Sequence, residues 1–456
     1  MTSASGAKLT VKTASILAIV FALVHLGLAL WFASFTPYRS TGVIMSSRGA
    51  PPPIDIGAPD ERQHVNYVKD LVEGHGFPVL RPTDPHLLEH YQAHQPPLYY
   101  LLEAGWTKLT GVTDLESQDS GLKLRALNAL IGAGGVFAVF LAGLWGFRRP
   151  EVGLIAASMA ALLPMNVALS GAVSNDPLLF LISSLTIAFL ALAVRDGWNL
   201  KRSVAIGVLI GLGLLTKTTA LSLGVATLVA IALSRPGMKK PYWALALVVP
   251  LVIYGPWMTR NQSLYGDPFA ISAFNKAFVG SPQAQPFIEG FGLFGYFVNW
   301  VGWWTFRAFL GAFGYMDIFL NETGLPGGTA HNTLYRLFLA LTVLIFAGWV
   351  ASWKSGEEPS EDRKVHLVNL SFTLVVALLF VRFNLQYFQA QARYIMPAVA
   401  PIAIAYALGG LQLAKGKWLP VLAGFVLFFG GITIYAGLRV PDEFAKRVTG
   451  PSIPEP

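Results

Sequence analysis

Asp60, Glu61 and His64 fall within one helical turn in the stretch GAPDERQHVNYVKDLVEGHG. Carboxylates and imidazoles are the side chains that take a proton from a hydroxyl or an amine. Asp176 adds another carboxylate in SNDPLLF, directly before Pro177. Three cations also stand in unusual company. Lys217 interrupts the apolar run GLGLLTKTTALSL, and Arg260 opens RNQSLYGDPF. Arg393 lies among Gln386, Gln389 and Gln391 in FNLQYFQAQARYIMPAVAP, with Tyr394 beside it. Arginine binds phosphate through paired hydrogen bonds, and a lysine inside an apolar run marks a functional position by default. The chain therefore carries candidate bases and candidate anion-binding groups.

Each of these residues also has a plainer use. Asp60 can N-cap a helix with Gln63 at the capping-box position, and Asp176 can cap the helix that Pro177 opens. Arg260 and Arg382 can reach along the bilayer to its headgroups, and Lys217 can sit at a hairpin tip in the headgroup layer. Between the adjacent carboxylates, Asp60 is the better base. It follows Pro59 at the helix start, whereas Glu61 in the first turn is accounted for by the helix dipole. His64, His75, His86, His90 and His94 crowd one region. HLLEH at 86–90 has the H-x-x-E-H zinc-protease spacing, and a divalent metal on His86, His90 or His94 is left open by their i, i+4 spacing. Ordinary hydrogen-bonding histidines are the favoured reading. HQPPLYY joins two stiffening prolines to an aromatic-aliphatic run that must dock on apolar surface.

The elements that position these residues follow from composition. The chain has 456 residues, 54% hydrophobic and 13% charged, with a mean hydropathy of +0.53. A soluble chain carries about a quarter charged residues. The chain reads as an all-α polytopic membrane protein forming one membrane domain over 1–456. Spans are expected at 13–35, 122–147, 151–171, 177–194, 203–216, 218–234, 242–258, 333–352, 366–384, 395–413 and 418–438, roughly eleven in all. The first is too long for a signal-peptide core and is read as retained. The net charge of +8 does not point to nucleic acid. The basic residues Lys8 and Lys12, Arg148 and Arg149, Arg195 with Lys201 and Arg202, Arg235 with Lys239 and Lys240, Lys354 with Arg363 and Lys364, and Lys415 with Lys417 fall on one side, which the positive-inside rule makes cytoplasmic. The N-terminus is then inside. The absence of cysteine excludes disulfides and thiolate metal sites.

Two long segments, 36–121 and 259–332, are left on the outer face. Val65, Val68 and Val72 give the first an amphipathic helix expected to lie on the bilayer, and a second such helix is expected after HQPPLYY. In the second segment, Trp300, Trp303 and Trp304 mark an interfacial helix.

PDERQH after the first span, HQPPLYY, SNDPLL opening a span, GLLTKTTAL in a hairpin, RNQSLYGDPF after a span and QARYIMPAVAP near the end occur in an order that covers nearly the whole chain. In that order they resemble the GT-C superfamily of membrane glycosyltransferases, in the branch of protein O-mannosyltransferases and aminoarabinose-lipid A transferases. One departure is Gln95, which separates His94 from Pro-Pro-Leu where relatives often have His directly before it. The resemblance implies an inverting transfer from a polyprenyl-phosphate sugar to an envelope glycan, lipid or protein outside a bacterial inner membrane. It implies a first-segment carboxylate at Asp60 or Glu61, a second carboxylate at Asp176, and a donor-phosphate arginine at Arg393. Tyr394, Lys217, Arg260, His64 and His94 are the further substrate-binding candidates. The lipid-linked sugar is a co-substrate; no other cofactor is expected with certainty, and a divalent metal stays open. The rival reading is a transporter or lipid flippase, which should place its polar site near the bilayer midplane and show repeats. A non-catalytic envelope scaffold is a third.

Overall fold

A computed structural model describes residues 9–44, 55–235, 240–320, 332–354 and 360–451. Lys8 and Lys239, two of the basic residues used for orientation, lie outside these ranges. Helix α1 (Val11–Phe35) starts at Thr10, whose hydroxyl accepts the Thr13 amide. The first long segment carries strand β1 (Ser40–Gly42), α2 (Glu61–Val72), α3 (Leu87–His90) and α4 (Leu98–Leu109). Next come α5 (Gly121–Phe147), α6 (Pro150–Leu162), α7 (Pro164–Ser170) and α8 (Asp176–Asp196). A hairpin of α9 (Leu200–Leu214) and α10 (Leu221–Ser234) leads to α11 (Leu245–Tyr265).

The second long segment holds α12 (Ile271–Ala277), α13 (Gln285–Gly295) and α14 (Trp303–Gly311), then a small antiparallel hairpin of β2 (Ala312–Phe313) and β3 (Ile318–Phe319). The chain closes with α15 (Thr333–Lys354), α16 (Ser360–Asn384), α17 (Val399–Leu413), α18 (Trp418–Phe425) and α19 (Gly431–Arg447). Strand β4 (Val448–Pro451) then pairs antiparallel with β1.

Each of the eleven stretches expected to span is helical, but fewer are full crossings. Among the described residues, eight helices are long and apolar enough, and nine if α6 and α7 count as one bent span. With 15 and 14 residues, the hairpin arms α9 and α10 reach only about 22 and 21 Å, short of a hydrocarbon core of about 30 Å. The aromatic stretch of the second segment is kinked at Gly292, where φ is 70°, and is not among the eight.

Helix α8 is the hub, apolar and buried on nearly every side as expected of a helix surrounded by others. Helices α5 and α6 approach through glycines. A methyl group on Gly143 would lie 2.6 Å from the Cα of Gly153, so close backbone contact depends on both being small.

The bend between α6 and α7, 65°, has a clear cause. Pro164 has no N–H and forces Leu163 out of the helical region, to ψ 113°. The carbonyls freed by the break are each served by a side chain. Asn166 Nδ2 donates to Ala160 (2.8 Å), His25 Nδ1 to Ala161 (2.9 Å) and Thr433 Oγ1 to Leu162 (2.6 Å). Broken backbone at membrane depth is tolerated where such partners exist.

Two local expectations are corrected. Asp60 does stand at the N-cap position of α2, but in the left-handed conformation (φ 60°, ψ 6°), and its side chain caps nothing. Gln63 donates to the Leu88 carbonyl (2.8 Å) instead of closing a capping box. The apolar face of α2 is also not laid on lipid. Val65 and Val68 are buried against Tyr99 and Tyr100 of α4, which covers that face with protein.

Candidate active site

The left-handed turn at Asp60 decides where its carboxylate goes. Aspartate tolerates this conformation better than most residues. Turned away from the helix end, Asp60 Oδ2 meets Arg393 Nη2 at 2.5 Å, and Oδ1 accepts the Tyr91 hydroxyl. Burial works to raise the Asp60 pKa, but the charge of Arg393 and the hydrogen bond from Tyr91 outweigh it and hold the carboxyl below its ordinary value. Arg393 sits in the short turn Ala392–Tyr394 between α16 and α17, with its side chain buried. Its Nη2 also reaches the Tyr394 hydroxyl (3.3 Å), and its guanidinium lies 5.1 Å from the centre of that ring. Its Nε has no hydrogen-bond partner among the described residues.

A second ion pair stands beside the first. Asp176 opens α8 directly before Pro177, and its Oδ1 takes the Lys217 ammonium at 2.6 Å. Asp176 Oδ2 is buried and unpartnered among the described residues. Lys217 occupies the hairpin tip between α9 and α10, 5.7 Å from the centre of the Tyr394 ring. That ring thus lies under both cations. The tip is pinned by the first long segment. The amide of Leu98 donates to the Leu215 carbonyl (2.9 Å), and Asn175 Nδ2 joins Gln95 Oε1 (3.3 Å) to the Thr216 carbonyl (3.2 Å). HQPPLYY therefore docks on the hairpin that carries the lysine.

Two neutral histidines complete the cluster. His64, one turn along α2 from Asp60, has its Nδ1 2.8 Å from the Tyr100 hydroxyl. Burial drives its pKa down to about 4 against the nearby charges of Asp60 and Asp176. His94 Nδ1 donates to the Tyr91 carbonyl (2.8 Å), and burial lowers its pKa to about 4 as well. With both histidines uncharged, two acids face two bases and the site is electrically balanced. Phe274 and Phe278 of the second long segment form an apolar wall against it, Phe274 5.0 Å from His94 and Phe278 5.7 Å from Tyr91.

The structure thus brings together Asp60, His64, His94, Asp176, Lys217, Arg393 and Tyr394. It separates two other candidates. Glu61 takes Arg125 through both oxygens (Nε 2.7 Å, Nη2 2.5 Å) and accepts the Val173 amide at 2.8 Å. The rest of that guanidinium donates to the carbonyls of Ala33, Thr36 and Pro37. Glu61 is a structural clasp between α1, α2 and α5. It is not the solvent-facing charge that the helix dipole explained. Arg260 stacks 4.4 Å from Trp257 and donates to the carbonyls of Phe77 (3.2 Å) and Pro78 (2.8 Å), which fastens the first segment to α11. Arg125 and Tyr91 carry no signal in the sequence. Their roles come from partners 64 and 31 residues away.

The zinc-protease pattern is put to other uses. Glu89 pairs with Arg62 (2.7 Å) and accepts from Asn66, and His90 faces Asp84. Among the described residues no group of three His, Asp or Glu side chains is placed to hold a metal ion.

Residues 94–259 match the model of the family described as dolichyl-phosphate-mannose-protein mannosyltransferase. No curated protein matches the chain in sequence. In structure it is similar to an oligosaccharyltransferase of Archaeoglobus fulgidus in complex with Zn and sulfate (16% identity, 95% of this chain, 53% of that one, TM-score 0.55). The same enzyme with an inhibitory peptide and a dolichol-phosphate gives 17% identity, 95% and 56% coverage and a TM-score of 0.52. ArnT from Cupriavidus metallidurans bound to undecaprenyl phosphate gives 17% identity, 90% and 62% coverage and a TM-score of 0.51. The chain spans a little over half the length of the archaeal enzyme. The family model covers about a third of the chain, and the solved membrane glycosyltransferases share its fold.

Proposed function

We propose that this protein transfers a sugar from a polyprenyl-phosphate donor to a hydroxyl or amine acceptor, with inversion, on the extracytoplasmic face of a bacterial inner membrane. The observation that carries this is the pairing of Asp60 with Arg393 beside that of Asp176 with Lys217. A candidate base and two candidate phosphate ligands meet at the helix ends covered by the two long segments. The solved relatives bound to a dolichol-phosphate and to undecaprenyl phosphate support a lipid-linked donor.

In this reading Asp60 takes the acceptor proton as the acceptor oxygen or nitrogen bonds to the anomeric carbon. The bond from that carbon to the phosphate oxygen breaks, and its electron pair leaves with the polyprenyl phosphate. Arg393 and Lys217 meet the charge that grows on the phosphate, where fixed donors count most. A single displacement inverts the anomeric centre. Asp176 sets the ammonium in place, and the wall of Phe274 and Phe278 suits the hydrocarbon tail of the donor. A transporter calls for a polar site at the midplane, and this cluster stands at the helix ends instead.

The test is a transfer assay in sealed right-side-out vesicles, with a panel of polyprenyl-phosphate sugars in the membrane and acceptor confined outside. Asp60→Asn keeps the shape and fits the left-handed backbone. It should fold normally and lose at least about a hundredfold in rate, the lower end for a general base. Near wild-type turnover by that variant would remove Asp60 as the base. Turnover only with acceptor inside would reverse the orientation.

A further inference from the structure

Asp60 has two direct side-chain partners, Arg393 and Tyr91, and only one of them can serve it throughout the reaction. An arriving phosphate must draw on Arg393, whose Nη2 is already shared between Asp60 and Tyr394. We propose that Tyr91 is the positioning residue that keeps Asp60 aimed and ionised once Arg393 has turned to the donor phosphate. The proposal rests on the glycosyl-transfer reading above.

The geometry suits this role. Tyr91 begins the short turn Tyr91–His94, its carbonyl holds His94, and its ring edge packs on Phe278 at 5.7 Å. None of these contacts involves Arg393, so the phenol keeps its place when the guanidinium moves. Burial and the neighbouring Asp60 charge both push its own ionisation up, so it remains a donor at any working pH. The other charged or titratable groups facing Asp60 are Arg393, Tyr394, His64, His94, Tyr100 and Tyr315. The histidines are neutral above about pH 4 and lend no positive charge. Tyr315 in the β2–β3 turn feels the Asp60 charge and is set against the Asp60 backbone, but it makes no hydrogen bond to the carboxylate oxygens. When Arg393 leaves, Tyr91 is therefore the one direct donor left to the carboxylate among the described residues.

The sign of the pH effect follows. A hydroxyl donating to a carboxylate favours the ionised form, and the ionised form is the base. Tyr91→Phe keeps the ring and its contact with Phe278 but removes the donor. The acid limb of kcat for transfer from a polyprenyl-phosphate sugar should move to higher pH by about one unit. On the acid side kcat should fall about tenfold and recover above neutrality, with the donor KM unchanged. Replacing Tyr91 with 3-fluorotyrosine, a stronger donor of the same shape, should move the limb the other way. A uniform loss at all pH values with an unmoved limb, or equal limbs for phenylalanine and fluorotyrosine, would overturn the proposal. An inactive Asp60→Asn with an unmoved Tyr91→Phe limb would sink this inference alone. An active Asp60→Asn would sink the underlying reading.

Discussion

Asp60 and Glu61 are neighbours in sequence, both are tied to an arginine, and the two pairs are built on different terms. The Glu61–Arg125 pair is saturated. Both carboxylate oxygens are used, and Arg125 spends its remaining donors on three backbone carbonyls. The Asp60–Arg393 pair, and the Asp176–Lys217 pair next to it, are incomplete. Arg393 Nε and Asp176 Oδ2 are buried without a partner among the described residues. Buried polar groups are normally satisfied. The saturated pair holds helices together, and in the proposed site the spare valence of the other two lies where a ligand would meet it.

The largest effect that would test this contrast is on stability. Arg125→Met strands the buried Glu61 carboxylate and should cost about 3–5 kcal/mol, read as a fall in thermal midpoint. Adding Glu61→Met should recover most of that loss, because removing both partners is far milder than removing one. The folded fraction of Arg125→Met should keep its donor affinity; a loss there would make the clasp part of the site. A smaller effect is expected from the open pair. Lys217→Met should weaken binding of polyprenyl phosphate by about tenfold or more in the folded fraction, apart from any fall in midpoint caused by the stranded Asp176 carboxylate. Asp176→Asn should leave that affinity equal or tighter, since the ammonium then answers the phosphate alone. If both variants weaken binding equally, the pair acts as one structural unit and the contrast fails. The smallest effect belongs to the other end of the helix array, where Arg148 and Asp196 pair at 2.6 Å with both side chains well exposed. Arg148→Ala should cost less than about 1 kcal/mol; a larger drop in midpoint would show that exposure does not separate the two ends.

The sequence made the helices legible because lipid imposes long apolar runs, and each expected span is indeed helical. It made Lys217 and Arg393 stand out because one interrupts an apolar run and the other lies in a polar cluster on the side where basic residues are scarce. It did not separate Asp60 from Glu61 by their surroundings, because Arg125 and Arg393 are both distant in sequence. Arg260 is ambiguous in sequence for the opposite reason. A basic residue at a span end is as suited to two backbone carbonyls and a tryptophan face as to a phosphate. Tyr91 carries no mark in the sequence, because its partner lies 31 residues away. The break at Leu163 was merged into one span, because an apolar run with a proline reads the same whether straight or bent by 65°.

The shortness of the hairpin that ends at Lys217 also bears on the surrounding lipid. Arms of 15 and 14 residues leave about 8 Å of a normal hydrocarbon layer unspanned. A bilayer closes such a gap by thinning, at a cost of fractions of a kcal/mol per Å. Headgroups and water then sink toward the hairpin tip. A lipid phosphate drifting into that dent descends to the level of Lys217, and the lysine need not climb to it. If the donor is the lipid phosphate proposed above, the two short helices would mould the membrane surface so as to lower its charged end while its tail stays in oil.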